Sequence, residues 1–131
     1  MSYLVDTHVF LWILFDPSQL TPKVKKAILD SAATKYISSI TFWEISLKFS
    51  LGKLDLNDIR PEAFPSIAKE AGFESISPDA DIMATFYKLP KKHKDPFDRM
   101  LIWEAMQRRY IRITKDHSFS LYEDSGLKIL W

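Results

Sequence analysis

The sequence predicts an α/β fold, a parallel sheet covered by helices on both faces. Three observations carry it. Short apolar segments of strand character alternate with longer segments of helical pattern along the whole chain. Turn and cap signals fall between them, and no repeat, low-complexity tract or Gly/Ser-rich linker interrupts the series. The 131 residues, 47% apolar and 14% aromatic, suit one compact domain with a real core, taken as residues 1–131.

Tyr3-Leu4-Val5 reads as the first strand, Asp6 as the turn after it, and Thr7 as the cap of a helix whose run Phe10–Phe15 is too continuous for a solvated face. Thr21-Pro22 opens a second helix through about Ala32, and Lys35–Ser38 is strand two. Thr41-Phe42-Trp43-Glu44 has the spacing of a capping box, so a helix is expected from Phe42 to near Leu51, stopped by Gly52. Pro61–Ala71 is a further helix and Phe73–Ile76 strand three. Ser77-Pro78 starts another helix that ends near Leu89-Pro90. After the basic loop Lys91–Lys94, Asp95-Pro96-Phe97-Asp98 opens a helix through Arg109, and Tyr110–Thr114 is strand four. Lys115–Leu121 is a loop or short helix, and Leu127–Leu130 the last strand.

Composition narrows the chemistry. Without cysteine there is neither a disulfide framework nor a thiolate metal site, so any metal must be held by oxygen or imidazole. The longest apolar run, Val9–Phe15, is too short to span a bilayer, and the chain opens without a basic leader, so a soluble, cytoplasmic protein is expected. A formal charge of +1 does not announce a nucleic-acid binder, and such a role must rest on local sites.

Four acids are candidates for one site. Asp6 and Asp116 follow strands one and four, and Glu44 and Asp98 sit in the first turns of helices, positions that share one edge of an open parallel sheet. Clustered carboxylates repel one another unless a cation fills the space, so neutralising Asp6 is expected to leave the metal-free fold at least as stable. Hard oxygen ligands select Mg²⁺, with Mn²⁺ able to substitute, and such ions serve metal-assisted phosphodiester hydrolysis. Each acid also has a purely structural reading. Glu44 completes a capping box with Thr41, Asp98 does the same with Asp95, and Asp116 is an ordinary loop acid. Asp6 differs, since an aspartate directly behind a buried strand must be placed among groups that neutralise it.

Together, Leu4-Val5-Asp6-Thr7-His8, Thr41-Phe42-Trp43-Glu44-Ile45, Asp95-Pro96-Phe97-Asp98-Arg99 and Ile113-Thr114-Lys115-Asp116 resemble the PIN-domain family, and within it the VapC-type toxins. The likeness spans nearly the whole chain in the family's order. It implies a five-stranded parallel sheet, a Mg²⁺ site at Asp6, Glu44, Asp98 and Asp116 with Asp95 at its edge, RNA as substrate, and a cognate antitoxin. Trp103-Glu104 departs from the small or amide residues that relatives often carry there. Thr7 and Thr114 are read as orienting the site. Lys48, Arg99 and Lys115 lie close to the acids in sequence and are candidates for phosphate contact, against the plainer reading of solvated cations. His93 and His117 are left outside the site, because the acids already supply hard ligands.

Trp12, Trp43 and Trp103 are read as packing residues. Phe10, Leu11, Trp12 and Leu14 with Phe42 and Phe49 exceed what a small core hides, which suggests a surface for a partner or a second copy, and the resemblance points to both an antitoxin and a homodimer. The competing functions are a housekeeping RNA-processing nuclease of the same fold, a phospho-receiver domain and a noncatalytic binding module. A receiver would need its acceptor Asp after strand three, where Ser77-Pro78 stands.

Overall fold

The computed structural model describes residues 1–131. Strand β1 (Ser2–Val5) leads through Asp6 into α1 (Thr7–Phe15); α2 (Pro22–Leu29) precedes β2 (Thr34–Ser38), and α3 (Ser39–Ser50) follows it directly. Then come α4 (Phe64–Glu70), β3 (Glu74–Ile76), α5 (Ala80–Ala84), α6 (Pro96–Arg108), β4 (Ile111–Ile113) and β5 (Lys128–Leu130). The strands form one five-stranded sheet in the order β3-β2-β1-β4-β5, and every pairing is parallel. This is the α/β architecture expected.

Strand order reverses at β1, which has β2 on one side and β4 on the other, and open α/β sheets bind ligands beyond the carboxyl ends of the strands at that point. Val5 pairs with Ile113. The Asp6 N–H then donates to the Ile113 carbonyl at 2.9 Å, so the first residue past β1 is tied to the end of β4.

Side chains alternate across the sheet and build a core on each face. Tyr3, Val5, Ile37 and Ile113 pack with Val9, Phe10, Val24 and Phe64 on one face. Leu4 packs with Ile82, Leu101, Ile102, Phe119 and Tyr122 on the other. Each fully buried side chain of this size contributes about 1.5–3 kcal/mol, so the two cores clamp the sheet rigidly under its crevice. By the same alternation Arg112, opposite Leu4, points into the face covered by α6.

Several element ends differ from expectation for local reasons. Helix α3 begins at Ser39, because the Ser38 hydroxyl accepts from the Ile40 N–H at 3.1 Å and caps it three residues before Thr41. The α4 region opens with a 3₁₀ turn at Pro61–Ala63, and α2 ends at Leu29, not Ala32. Asp79, not Ser77, caps α5, its carboxylate accepting from the Ile82 N–H at 2.8 Å. His117–Ser125 is a 3₁₀ segment. Helix α6 ends on Arg109 with φ 58°, a left-handed cap normally given to glycine. No helix is long and apolar enough to cross a membrane.

Candidate metal centre

Asp6 is 4% exposed, and both its carboxylate oxygens are engaged. Arg112 Nη2 donates to Oδ1 at 2.8 Å and the Thr114 hydroxyl donates to Oδ2 at 3.1 Å. Thr114 also accepts the Asp116 N–H at 3.1 Å, so one hydroxyl links the acid after β1 to the acid after β4. Arg112 is fully buried and lies 5.1 Å from the Phe119 ring centroid. The expected self-repulsion at Asp6 is therefore replaced by an internal ion pair, and neutralising Asp6 would strand Arg112. Sequence reasoning missed Arg112, since an arginine in an apolar strand becomes a partner of Asp6 only through the β1–β4 register.

Asp98 shares a helix face with Leu101, Ile102 and Ala105, which are among the buried residues of α6, and it lines the cleft. Burial and the charges of Asp6, Asp95 and Glu44 push its pKa up to about 7, Arg112 opposing. Glu44, expected in the first turn of its helix, lies in the second because α3 starts early at Ser39, and it is 1% exposed. Its Oε2 is salt-bridged to Lys48, and its Oε1 has no hydrogen-bond partner. Burial alone would lower the Lys48 pKa, but the hydrogen bond and charge of Glu44 outweigh it and hold it high.

Asp116 is the exposed member. Its Oδ1 accepts from the Ser118 N–H at 2.9 Å and from the Ser118 hydroxyl at 2.6 Å. Partial burial would raise its pKa, yet the Ser118 and His93 contacts win and lower it. His93 Nε2 stands 3.5 Å from Asp116 Oδ2 and 3.6 Å from Asp98 Oδ2, and donor atoms of these three residues lie within 4.8 Å of one another. His93 thus belongs at the site, against expectation; its signal was its place just ahead of the Asp95–Arg99 segment. Its Nδ1 accepts the Asp95 N–H at 3.0 Å, which in the neutral ring puts the proton on Nε2, facing the two acids.

Neither capping box forms. Thr41 instead shares a 3.0 Å hydrogen bond with the Thr7 hydroxyl, joining the α1 and α3 starts, and Glu44 pairs with Lys48. Asp95 does cap α6, its Oδ1 accepting from the Phe97 and Asp98 N–H groups at 2.8 and 3.1 Å, but Asp98 returns no bond. The cleft, about 290 Å³, is lined by Asp6, His8, Trp12, Asp98, Lys115 and Asp116. Lys115 sits over the Trp12 ring at 5.6 Å. Lys48 is committed to Glu44, and Arg99 turns to the Leu89 carbonyl and the Phe86 ring. Trp103 is packed, its Nε1 donating to the Ile82 carbonyl at 2.9 Å, whereas Trp43, expected to pack, is 58% exposed.

The donor set suits a hard divalent cation. It is oxygen-rich, and it includes an orphaned buried oxygen of Glu44 and a carboxyl of Asp98 that its surroundings resist ionising.

Comparison with known proteins identifies the family and the fold. The family profile described as PIN domain matches residues 3–124. Among solved structures, VapBC2 from Rickettsia felis bound to a DNA fragment from their promoter is similar at 14% identity and TM-score 0.70, covering 99% of this chain and 98% of that one. VapBC-1 from nontypeable Haemophilus influenzae is similar at 18% identity and TM-score 0.68, covering 99% and 97%. A toxin-antitoxin complex from Klebsiella pneumoniae is similar at 19% identity and TM-score 0.60, covering 98% and 96%. No curated protein matches in sequence.

Proposed function

The chain belongs to the PIN-domain family, and from that premise we propose that it is a Mg²⁺-dependent endoribonuclease acting as the toxin of a toxin-antitoxin pair. The observation that supports the nuclease reading is the meeting of Asp6, Asp98 and Asp116 from three separate segments in one cleft, with Asp98 pushed up to about 7 by burial and then by the charges of Asp6, Asp95 and Glu44. Residues 1–131 serve as one nuclease domain on this reading.

Asp98, Asp116 and the free oxygen of Glu44 would hold the ion, with Asp6 fixed behind them by Arg112 and Thr114. Bound there, Mg²⁺ (or Mn²⁺) supplies a water of lowered pKa and neutralises charge on the phosphodiester. The chain's own residues do the rest. Asp95 fixes the first turn of α6 and hence the aim of Asp98. His93 Nε2 holds a proton between Asp98 and Asp116. Lys115, on the cleft wall above Trp12, offers the RNA backbone a cation beside an aromatic face on which a base can stack.

The partner reading rests on α3. Trp43, Leu47 and Phe49, with Leu51 just after it, are exposed on one stretch of chain, an apolar surface suited to an antitoxin segment or a second copy. The similar structure from Klebsiella pneumoniae is described as a toxin-antitoxin complex. Purified protein should cleave single-stranded RNA with Mg²⁺ or Mn²⁺ and stop with excess EDTA; undiminished cleavage in EDTA refutes the metal reading. Expression alone should arrest growth, and the natural partner should relieve the arrest, less so for Trp43→Ser. A harmless chain that captures no partner in its own host would return the housekeeping nuclease to first place.

A further inference from the structure

We propose that Arg112 is a built-in counter-cation of the acid site, standing where a second divalent ion would otherwise balance the carboxylates, so that the site takes a single metal ion. The inference rests on the metal-site reading above. Arg112 is fully buried, donates to Asp6 at 2.8 Å, and its Nε and Nη1 have no hydrogen-bond partner, so its bonding is committed to Asp6. An arginine keeps its charge under all ordinary conditions, and this one stacks on Phe119 where water does not screen it.

The remaining donors agree with a count of one. Both Asp6 oxygens already accept a hydrogen bond, Asp116 Oδ1 is taken by Ser118, and Glu44 Oε2 is taken by Lys48. The donor atoms that lie together, within 4.8 Å of one another, come from Asp98, Asp116 and His93, one group sized for one ion, while Glu44 Oε1 is left without a hydrogen-bond partner. Two fixed cations, Arg112 and Lys48, already balance half the charge of the four acids.

The test is titration of Mn²⁺ into chelator-treated full chain, reading free Mn²⁺ by electron paramagnetic resonance and heat by calorimetry, for wild type, Arg112→Met and Arg112→Lys. Wild type should bind one ion. Arg112→Met should bind a second ion, or the first at least about tenfold more tightly, because a unit positive charge a few ångströms away has been removed. Arg112→Lys, which keeps the charge and loses the fork, should stay at one ion. Two ions on the wild type or on Arg112→Lys overturn the proposal, as does unchanged or weaker binding by folded Arg112→Met. If Arg112→Met does not fold, the wild-type and lysine counts decide alone. Absence of any Mn²⁺ binding by the folded wild type is a different result, which overturns the metal-site reading and this proposal with it.

Discussion

Asp95 Oδ1 accepts the backbone N–H of Asp98 at 3.1 Å, while the Asp98 carboxylate leaves the helix and faces the crevice. Two aspartates of one helical turn thereby have separate work. Asp95→Asn should retain the cap, most of the cleavage and stability within about 0.5 kcal/mol, since asparagine caps as well as aspartate. Asp98→Asn should fold and lose Mn²⁺ affinity and RNA cleavage by two orders of magnitude or more, by roughly the cost of one charged ligand. Parallel assays of the two variants check this, and the reverse ranking would reassign the third acid.

The raised pKa of Asp98 sets a pH dependence. Its value is about 7 in the folded chain against the ordinary 3.8, so between those limits the folded state holds the proton more tightly than the unfolded one. Ionising Asp98 therefore destabilises the metal-free protein as pH rises through that window, by at most about 1.4 kcal/mol per pH unit. Urea unfolding in EDTA should show wild type losing stability relative to Asp98→Asn from about pH 4 to pH 7. Mn²⁺ affinity should rise over the upper part of the same window, because the ion and the proton compete for one carboxylate.

Asp6→Asn should destabilise the metal-free fold by about 2 kcal/mol or more, since it leaves the Arg112 guanidinium buried with only a neutral acceptor. This reverses the expectation drawn from acid repulsion alone. Thermal unfolding in EDTA measures it, and Asp6→Asn combined with Arg112→Met should recover part of the loss.

Arg109→Gly should stabilise the chain by about 1 kcal/mol, because Arg109 adopts φ 58° at the end of α6, where a Cβ is disfavoured and glycine is not. Chemical denaturation checks it; a loss of stability would show that the Arg109 side chain contributes more than its backbone strain costs.

What the sequence made legible was local. An acid directly after an apolar strand, or an aspartate before a proline, announces its position without help from the rest of the chain, so β1, Asp6 and the α6 start were readable. The α3 start was not, because Ser38 and Thr41 are both competent caps and only the Thr7 hydroxyl, 34 residues away, decides between them. Arg112 and His93 were missed for the same reason. Their roles depend on strand register and on a loop folding over the crevice, neither of which leaves a periodic signal. Trp43 was assigned to packing by a statistical preference that the free face of α3 does not obey.

The Asp6–Arg112 bond closes across 106 residues, and β1 has no neighbour on that side until β4 exists. During synthesis the emerging chain therefore carries Asp6 and Glu44 on an unfinished sheet, and the crevice is assembled only when β4 docks, late and through slow long-range pairing. A fragment that stops short of β4 therefore has Asp6 without Arg112 or Thr114 behind it and without Asp116 beside it, so the two ends of the chain must meet before Asp6, Asp98 and Asp116 can line one cleft.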